Sequence, residues 1–102
     1  KGLSPIGVPK ALKGTSFPFK YNDIQGFKKL FSRYKDKIAA IVIEPIRGEY
    51  PNKDFIKEIQ KSTKEINAVL IVDEITAGWR LNDGGAHLSL GIKPDIAVFG
   101  KA

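Results

Sequence analysis

Several features that would indicate particular protein classes are missing from this sequence. Its 102 residues contain no cysteine, which excludes disulfides and thiolate metal sites within them and is compatible with a reducing, cytoplasmic location. His87 is the single histidine, so no metal site is expected. The longest strongly apolar run, residues 38–43, is far shorter than the roughly 20 residues that a membrane-spanning helix needs. The first ten residues lack the apolar core of a signal peptide.

The net charge of +6 raises the question of a nucleic-acid partner. The basic residues, however, are spread along the chain, and those from Lys28 to Lys64 lie on or beside the predicted helices. No helix-turn-helix, zinc or RNA-binding signature accompanies them. We therefore interpret the charge as a solvated helical surface and expect neither a nucleic-acid nor a membrane partner.

Continuous apolar runs alternate with helical patterns along the chain. The runs occupy residues 38–43, 68–72 and 96–99. One amphipathic helix is predicted from the N-cap candidates Asn22 and Asp23 to about Tyr34. A second helix carries one apolar face, formed by Phe55, Ile56, Ile59 and Ile66. Strands without polar alternation are typical of parallel sheets buried on both faces, so we predict an α/β fold with a three-layer, parallel or mixed sheet and flanking helices.

The two ends of the chain differ from its middle. Residues 1–20 hold three of the six prolines and three of the ten glycines without periodicity, which predicts a loop or an extended arm. The chain begins with Lys1 and stops at Ala102, just past the third apolar run. A domain rarely ends where a strand ends, so we expect an internal fragment of a longer protein.

Ionisable residues follow each predicted strand. Glu44 ends the first, Asp73 and Glu74 end the second, and Lys101 follows the third. Ligands bind at the carboxyl ends of the strands in open parallel sheets, so these side chains would gather at one edge. The alternative is that the strands simply end in polar residues where they meet water.

The residue types at these ends narrow the chemistry. No GxGxxG or Walker loop follows a strand, and the third run closes on Gly100 and Lys101 instead. Burial at a strand end would lower the pKa of a lysine and make it nucleophilic enough to form a Schiff base. A nearby carboxylate could keep a pyridinium nitrogen protonated, as pyridoxal phosphate requires.

Four segments of the sequence carry a resemblance to a known family. EPIRGE (44–49), LIVDEITAGWR (70–80), GGAHLSLGIKPDIAVFGKA (84–102), and PIGVPK (5–10) together with YND (21–23) resemble the class III pyridoxal-phosphate-dependent aminotransferases. The glutamate-1-semialdehyde 2,1-aminomutase subgroup is the most similar. The resemblance implies a fold-type I transferase in which residues 21–102 belong to the cofactor-binding large domain and residues 1–20 contribute to a gating lid.

The resemblance also implies a role for each matching residue. Lys101 would form the Schiff base with pyridoxal 5'-phosphate and later move a proton between substrate and cofactor. Asp73 would pair with the pyridine nitrogen, and Ile75 would pack against the ring. Glu44 would support Asp73 through hydrogen bonds or have a purely structural role. The parent protein would be a homodimer that acts on small amino and aldehyde substrates.

The substrate is the least determined part of this interpretation. Glu49 stands where aminomutases usually have asparagine or a small residue, and it resembles the glutamate of ω-aminotransferases that pairs with a gating arginine. Thr76, Ala77 and Trp79 also depart from the aminomutase pattern. We therefore expect pyridoxal-phosphate-dependent amino-group transfer of the aminomutase type. An ω-aminotransferase acting on another amine and aldehyde, and a non-catalytic α/β binding module, are the alternatives.

Overall fold

The computed structural model describes residue 4 and residues 6–101. The helices are α1 (Ile24–Tyr34), α2 (Lys53–Glu65) and α3 (Ala86–Ser89), and the strands are β1 (Ala40–Ile43), β2 (Val69–Asp73) and β3 (Ile96–Val98). The strands form one sheet in the order β1-β2-β3, and both pairs are parallel. The predicted α/β fold with a parallel sheet is therefore confirmed. Only α3 was not expected, because four helical residues are too few to show a helical period.

Helix α1 begins where the sequence predicts. The Asp23 side chain accepts a hydrogen bond of 2.8 Å from the Gly26 backbone N–H and so satisfies one donor of the first turn. Phe27 and Phe31, one turn apart, are buried on the face that packs into the core. The cap and the apolar spacing thus fix the start and the orientation of this helix.

The hydrophobic core lies between α1, α2 and one face of the sheet. Alternate strand residues point into it, and α2 contributes side chains that are fully buried or nearly so. Its strand and α2 members are Ile41, Ile43, Leu70, Val72, Phe55, Ile56 and Ile59. Burying side chains of this size stabilises a fold by about 1.5–3 kcal/mol each, so this face holds the sheet and the helices together.

The opposite face of the sheet is open in the described part of the chain. Val42 is 55% exposed and Ile96 48% exposed, and Ile71 and Asp73 share this face through their register with β3. The sequence predicted strands buried on both faces, whereas residues 4 and 6–101 supply helices to one face only. The apolar character of the open face nevertheless agrees with a sheet built to be covered twice.

The described part of the predicted arm, residues 1–20, has little regular structure. It contains one 3-10 turn, Lys10–Leu12. Its end is fastened to α1, since the Phe17 ring stacks on Tyr34 with centroids 4.1 Å apart and Phe19 meets Phe27 edge-on at 5.2 Å. Residues 1–3 and 5 lie outside the described residues, and the lid role of residues 1–20 stays a prediction.

Candidate active site at the carboxyl edge of the sheet

The three strands bring their carboxyl ends to one edge of the sheet, as predicted. The register pairs Ile43 with Val72, so Glu44 and Asp73 each follow directly after a paired residue. Asp73 is itself paired with Val98, three residues before Lys101. A groove of about 700 Å³ runs along β1 to this edge, and both carboxylates line it together with residues 15–19 of the arm. The candidate site is therefore a groove with acidic groups at one end.

Asp73 presents an oriented carboxylate on the open face. Its side chain is half-buried, and Oδ1 accepts a hydrogen bond of 2.9 Å from the Ile75 backbone N–H. Among the described residues, none donates to Oδ2. Asp73 thus combines a fixed orientation with one acceptor oxygen that is available to a ligand.

The turn that follows Asp73, residues 74–79, packs closely against the end of β3. The Glu74 backbone N–H donates to the Val98 carbonyl at 2.9 Å, and the Gly78 N–H donates to the Glu74 carbonyl at 2.7 Å. A Cβ at Gly78 would lie 2.7 Å from that carbonyl oxygen and 2.7 Å from Cδ1 of Phe99. Only glycine fits at position 78 without a shift of its neighbours.

Ile75 lies beside the chain that leads to Lys101. A Cβ built on Gly100 would be 3.4 Å from Cγ1 of Ile75, an ordinary van der Waals distance. The structure therefore brings the predicted ring-packing residue next to the residue before the predicted Schiff-base lysine. The side chain of Lys101 itself is exposed, so the desolvation expected from the sequence is not supplied by the described residues.

Glu44 has a different partner from the one predicted. Its carboxylate forms an ion pair with Arg47, three residues further along, and is only partly exposed. No hydrogen bond links Glu44 to Asp73 in the part of the chain that the structure describes. Glu44 and Asp73 share the groove, but each is held by its own local contact.

Two residues before α1 fasten the loop that follows β1, residues 44–52. The Tyr21 hydroxyl donates to the Pro45 carbonyl at 2.7 Å. The Asn22 side-chain amide donates to the Tyr50 carbonyl at 3.0 Å and accepts from the Asn52 N–H at 2.8 Å. Sequence reasoning offered Asn22 only as a helix cap and missed this role, because the bonded residues are 28 and 30 positions away.

Glu49 lies in this loop and is exposed. Burial, and secondarily the negative charge of Glu49, raise the pKa of Tyr21 to about 12. Among the described residues Glu49 forms no ion pair, and the gating arginine expected from the resemblance is not among its contacts. Its position near the carboxyl edge keeps it a candidate for a substrate-facing role.

Glu74 and His87 form a buried pair that sequence reasoning missed. The backbone N–H and Nδ1 of His87 each lie 2.7 Å from Oε1 of Glu74. The sequence pattern groups Glu74 with Asp73 at the edge and raises His87 only as a metal ligand. The signal that could have found it is the alternation of side chains between the two faces along β2. Because Asp73 lies on the open face, the next residue, Glu74, turns toward the core-facing side.

Trp79 and Arg80 end the turn. Trp79 has a left-handed backbone, with φ of 66°, and its ring lies 5.2 Å from that of Phe99. The Arg80 guanidinium donates to the Thr76 carbonyl at 2.6 Å and so closes the turn through a backbone oxygen. Trp79 remains 59% exposed despite this contact with Phe99.

The described residues hold neither a membrane-spanning helix nor a cluster of metal ligands. None of their helices has the length and apolar content that a membrane span requires. They contain no group of three or more acidic, histidine or cysteine side chains placed to hold a metal ion. Asp73, Ile75 and Lys101 are therefore the residues of this edge that bear on its chemistry.

Comparison with known proteins supports the relationship read from the sequence. Residues 8–102 match the aminotransferase class-III family. The chain is 38% identical over 100 residues to a glutamate-1-semialdehyde 2,1-aminomutase of Pyrobaculum arsenaticum, a match that covers 94% of this chain and 24% of that protein. The chain thus spans about a quarter of the length of the curated relatives it matches.

Solved structures give the same result for the fold. An ω-transaminase from Sphaerobacter thermophilus superposes with a TM-score of 0.82 at 31% identity, over 93% of this chain and 22% of that one. A transaminase with PLP bound superposes with a TM-score of 0.84 at 29% identity, over 93% of this chain and 23% of that one. The family match over residues 8–102 and the shared sheet lead to one conclusion: this chain belongs to the class-III aminotransferases.

Proposed function

We propose that the protein containing this chain transfers amino groups with pyridoxal 5'-phosphate, which it holds covalently through Lys101. The observation that carries the proposal is the Asp73 carboxylate. One oxygen is fixed by the Ile75 N–H at 2.9 Å, and the other is left as an acceptor at the edge that leads to Lys101. Such an acceptor suits the protonated ring nitrogen of the cofactor.

The residues present fit this cofactor. When bound, pyridoxal phosphate supplies an electron sink for the carbon that loses a proton. Asp73 would bind the ring nitrogen, and Ile75, half-buried beside Gly100, would present an apolar surface to the ring. A structural relative is described as a transaminase with PLP bound, which supports the same cofactor here.

Lys101 has two tasks in this proposal. Its ε-amine first anchors the cofactor, and the substrate amine then takes its place. Once released, the ε-amine would take the proton from the substrate carbon that bears the amino group and, as its conjugate acid, would deliver it to the cofactor carbon that is bonded to the amino nitrogen. Acid–base work of this kind contributes about 10²–10⁴-fold to the rate. Its exposure among the described residues means that other parts of the enzyme must exclude water from it.

For the substrate, we propose an amino aldehyde of the glutamate-1-semialdehyde type. Four relatives at 36–38% identity carry the name glutamate-1-semialdehyde 2,1-aminomutase, which supports this choice. Glu49 favours a second candidate, an ω-aminotransferase acting on another amine and carbonyl pair. It is exposed near the carboxyl edge, where a carboxylate can pair with an arginine from elsewhere in the enzyme.

Borohydride trapping tests the cofactor assignment. The purified full-length protein should be yellow, and reduction followed by digestion and mass spectrometry should place the cofactor on Lys101. Lys101→Arg should abolish the adduct and the activity, while Lys93→Arg, an exposed lysine outside the site, serves as the control. A colourless protein that gains no absorbance with added pyridoxal phosphate would refute the proposal. It would favour the alternative interpretation, a non-catalytic α/β binding module.

A substrate panel separates the two enzyme candidates. Turnover of glutamate-1-semialdehyde to 5-aminolevulinate without an added amino acceptor supports the aminomutase. Failure to turn over the semialdehyde, with turnover of another amine and keto acid, would support the ω-aminotransferase.

Homodimeric assembly, the lid role of residues 1–20 and a cytoplasmic location remain further proposals. Light scattering, limited proteolysis and cell fractionation test them in turn.

A further inference from the structure

The strongest feature that the proposed function leaves unused is the buried pair of Glu74 and His87. The side chain of Glu74 is 0% exposed and that of His87 12%. Oε1 of Glu74 accepts from both the backbone N–H and the ring Nδ1 of His87, each at 2.7 Å. Oε2 is buried and has no hydrogen-bond partner among the described residues. A carboxylate in this position depends on His87 for both of its side-chain hydrogen bonds.

Glu74 is directly attached to the residue that the proposed function needs most. Asp73 turns its carboxylate to the open face, while Glu74 turns its own into the core, so one backbone segment carries both groups. Glu74 is also held through its backbone, whose N–H donates to Val98 at 2.9 Å and whose carbonyl accepts from Gly78 at 2.7 Å. With the side chain bound to His87, this residue is fixed at three points.

The chain around His87 is shaped to fit this contact. Gly85 has φ of 115°, a conformation that side-chain-bearing residues rarely adopt. A Cβ there would lie 2.7 Å from Nδ1 of His87 and 2.9 Å from Oε1 of Glu74. The Gly85 N–H and carbonyl are both bonded to Asn82, at 3.1 and 3.2 Å. Close approach of the two side chains therefore depends on glycine at 85.

The energetics of burial explain why this pair matters to Asp73. Without the His87 ring, the buried Glu74 carboxylate would keep a single donor, the backbone N–H of residue 87, and losing the other hydrogen bond is costly enough to shift the side chain. Because Glu74 and Asp73 are consecutive, such a shift would be passed to the backbone segment that carries both carboxylates. That movement would disturb the Ile75 N–H that fixes Oδ1 of Asp73 and the Ile75 side chain beside Gly100.

We propose that His87, acting through Glu74, is a positioning residue for Asp73 and so for the ring nitrogen of the cofactor. This inference rests on the proposed function. Residues that orient metal ligands typically change affinity by about 10–100-fold when they are removed, and we expect the lower end of that range for cofactor affinity here.

The test uses four variants of the full-length protein: His87→Ala, His87→Gln, Glu74→Gln and Leu88→Ala. His87→Ala removes the ring donor and should weaken cofactor affinity about tenfold. His87→Gln keeps a side-chain N–H and should restore most of it. Glu74→Gln keeps the acceptor oxygen and should have the smaller effect. Leu88→Ala changes an exposed neighbour on α3 and is the control.

Three measurements are made on each variant: cofactor affinity by titration of the apoprotein, the pH dependence of the bound cofactor's absorbance, and the thermal midpoint. The inference predicts that His87→Ala changes the first two and that His87→Gln brings them back. A lowered thermal midpoint with unchanged affinity and absorbance would overturn it, because the pair would then be merely structural. Failure of a well-folded His87→Gln to restore affinity would also overturn it.

The proposed function is checked separately in the same samples. Borohydride should still fix the cofactor on Lys101 in every variant at saturating cofactor, since the lysine is untouched. Absence of trapping in the unmodified protein would refute the proposed function before any variant is compared. Normal trapping with unchanged affinity in His87→Ala would refute only the positioning role.

Discussion

The two acidic strand ends of the sheet are at the same level but are held in different ways. After β1, Glu44 pairs with the neighbouring Arg47, and the loop 44–52 is tied down from outside by Tyr21 and Asn22. After β2, Asp73 is held by its own turn, which is anchored in the core through Glu74. The first end is held by contacts at the two margins of an exposed loop, whereas the second is anchored by the buried Glu74 and Gly78.

This difference follows from the place of each strand in the sheet. Among the described residues β2 is paired on both sides, so the chain that leaves it is surrounded by β3 and by the segment around α3. β1 is paired only with β2, so the chain that leaves it runs over the surface. A fixed end suits contacts to a cofactor ring, and a loop fastened at two points suits contacts to variable substrates.

The sharpest test of this contrast is the same isosteric change at both ends. Asp73→Asn removes the charge that the proposed function assigns to the ring nitrogen, and we expect kcat to fall about 10²–10³-fold, the scale of losing one preorganised electrostatic contact. Glu44→Gln removes one side of a partly exposed ion pair and should lower kcat less than about fivefold. Steady-state kinetics of both full-length variants measure the two losses of kcat. Equal losses would contradict the assignment of different roles.

Glycine substitutions compare the packing of the two segments. Gly78→Ala forces a Cβ to 2.7 Å from Glu74 and Phe99, and we expect unfolding free energy to fall by about 1–3 kcal/mol, with weaker cofactor binding. Gly48→Ala meets no atom within 4 Å but must adopt φ of +69°, which costs about 1 kcal/mol. Denaturant unfolding and cofactor titration measure both effects. Weaker cofactor binding in Gly48→Ala would contradict the contrast.

Asn22 holds the loop that follows β1, residues 44–52, through two side-chain hydrogen bonds. Asn22→Gly keeps the left-handed backbone, with φ of 61°, but loses both hydrogen bonds to the loop, and should lower unfolding free energy by about 1–2 kcal/mol. Asn22→Asp retains the acceptor for the Asn52 N–H and should lose less. Proteolysis within residues 45–52 should increase in the same order. Unchanged proteolysis in Asn22→Gly would show that the loop is held otherwise.

The smallest expected effect concerns Tyr21. Its pKa is raised from 10.0 to about 12, so the folded protein keeps the hydroxyl protonated where the unfolded chain loses the proton. The stabilising contribution is complete below pH 10 and is lost as the pH rises toward 12. Tyr21→Phe should remove this part of the pH dependence and cost about 1 kcal/mol at neutral pH. Denaturant unfolding at several alkaline pH values, with Tyr50→Phe as an exposed control, measures it.

Much of the fold could be predicted from local patterns. The boundaries of α1 follow from the Asp23 cap and the spacing of Phe27 and Phe31, and the three apolar runs became the three strands. The strand ends could be placed at one edge because parallel connections leave no other arrangement. The roles of Asp73 and Lys101 were predicted through the resemblance, which depends on their spacing along the sequence, and they stay predictions.

The contacts between distant segments could not be predicted in this way. Tyr21 and Asn22 reach the β1 loop across 24 to 30 positions, and no short-range pattern predicts which donor meets which carbonyl. Arg47 as the partner of Glu44, and the exposure of Lys101, also depend on how the loops are placed at the edge. These features arise from close packing and hydrogen-bond satisfaction, which act between residues that are neighbours only in space.

The sequence by itself determined the family, the parallel α/β sheet and the gathering of ionisable groups at its carboxyl edge, because these depend on local periodicity and on spacing along the chain. The tertiary structure decided where each carboxylate lies and what it contacts. Asp73 and Glu74 are adjacent and chemically alike, yet one faces the open side with a free oxygen and the other is buried against His87. Only the position of β2 between its neighbours, with His87 brought beneath it, separates the two.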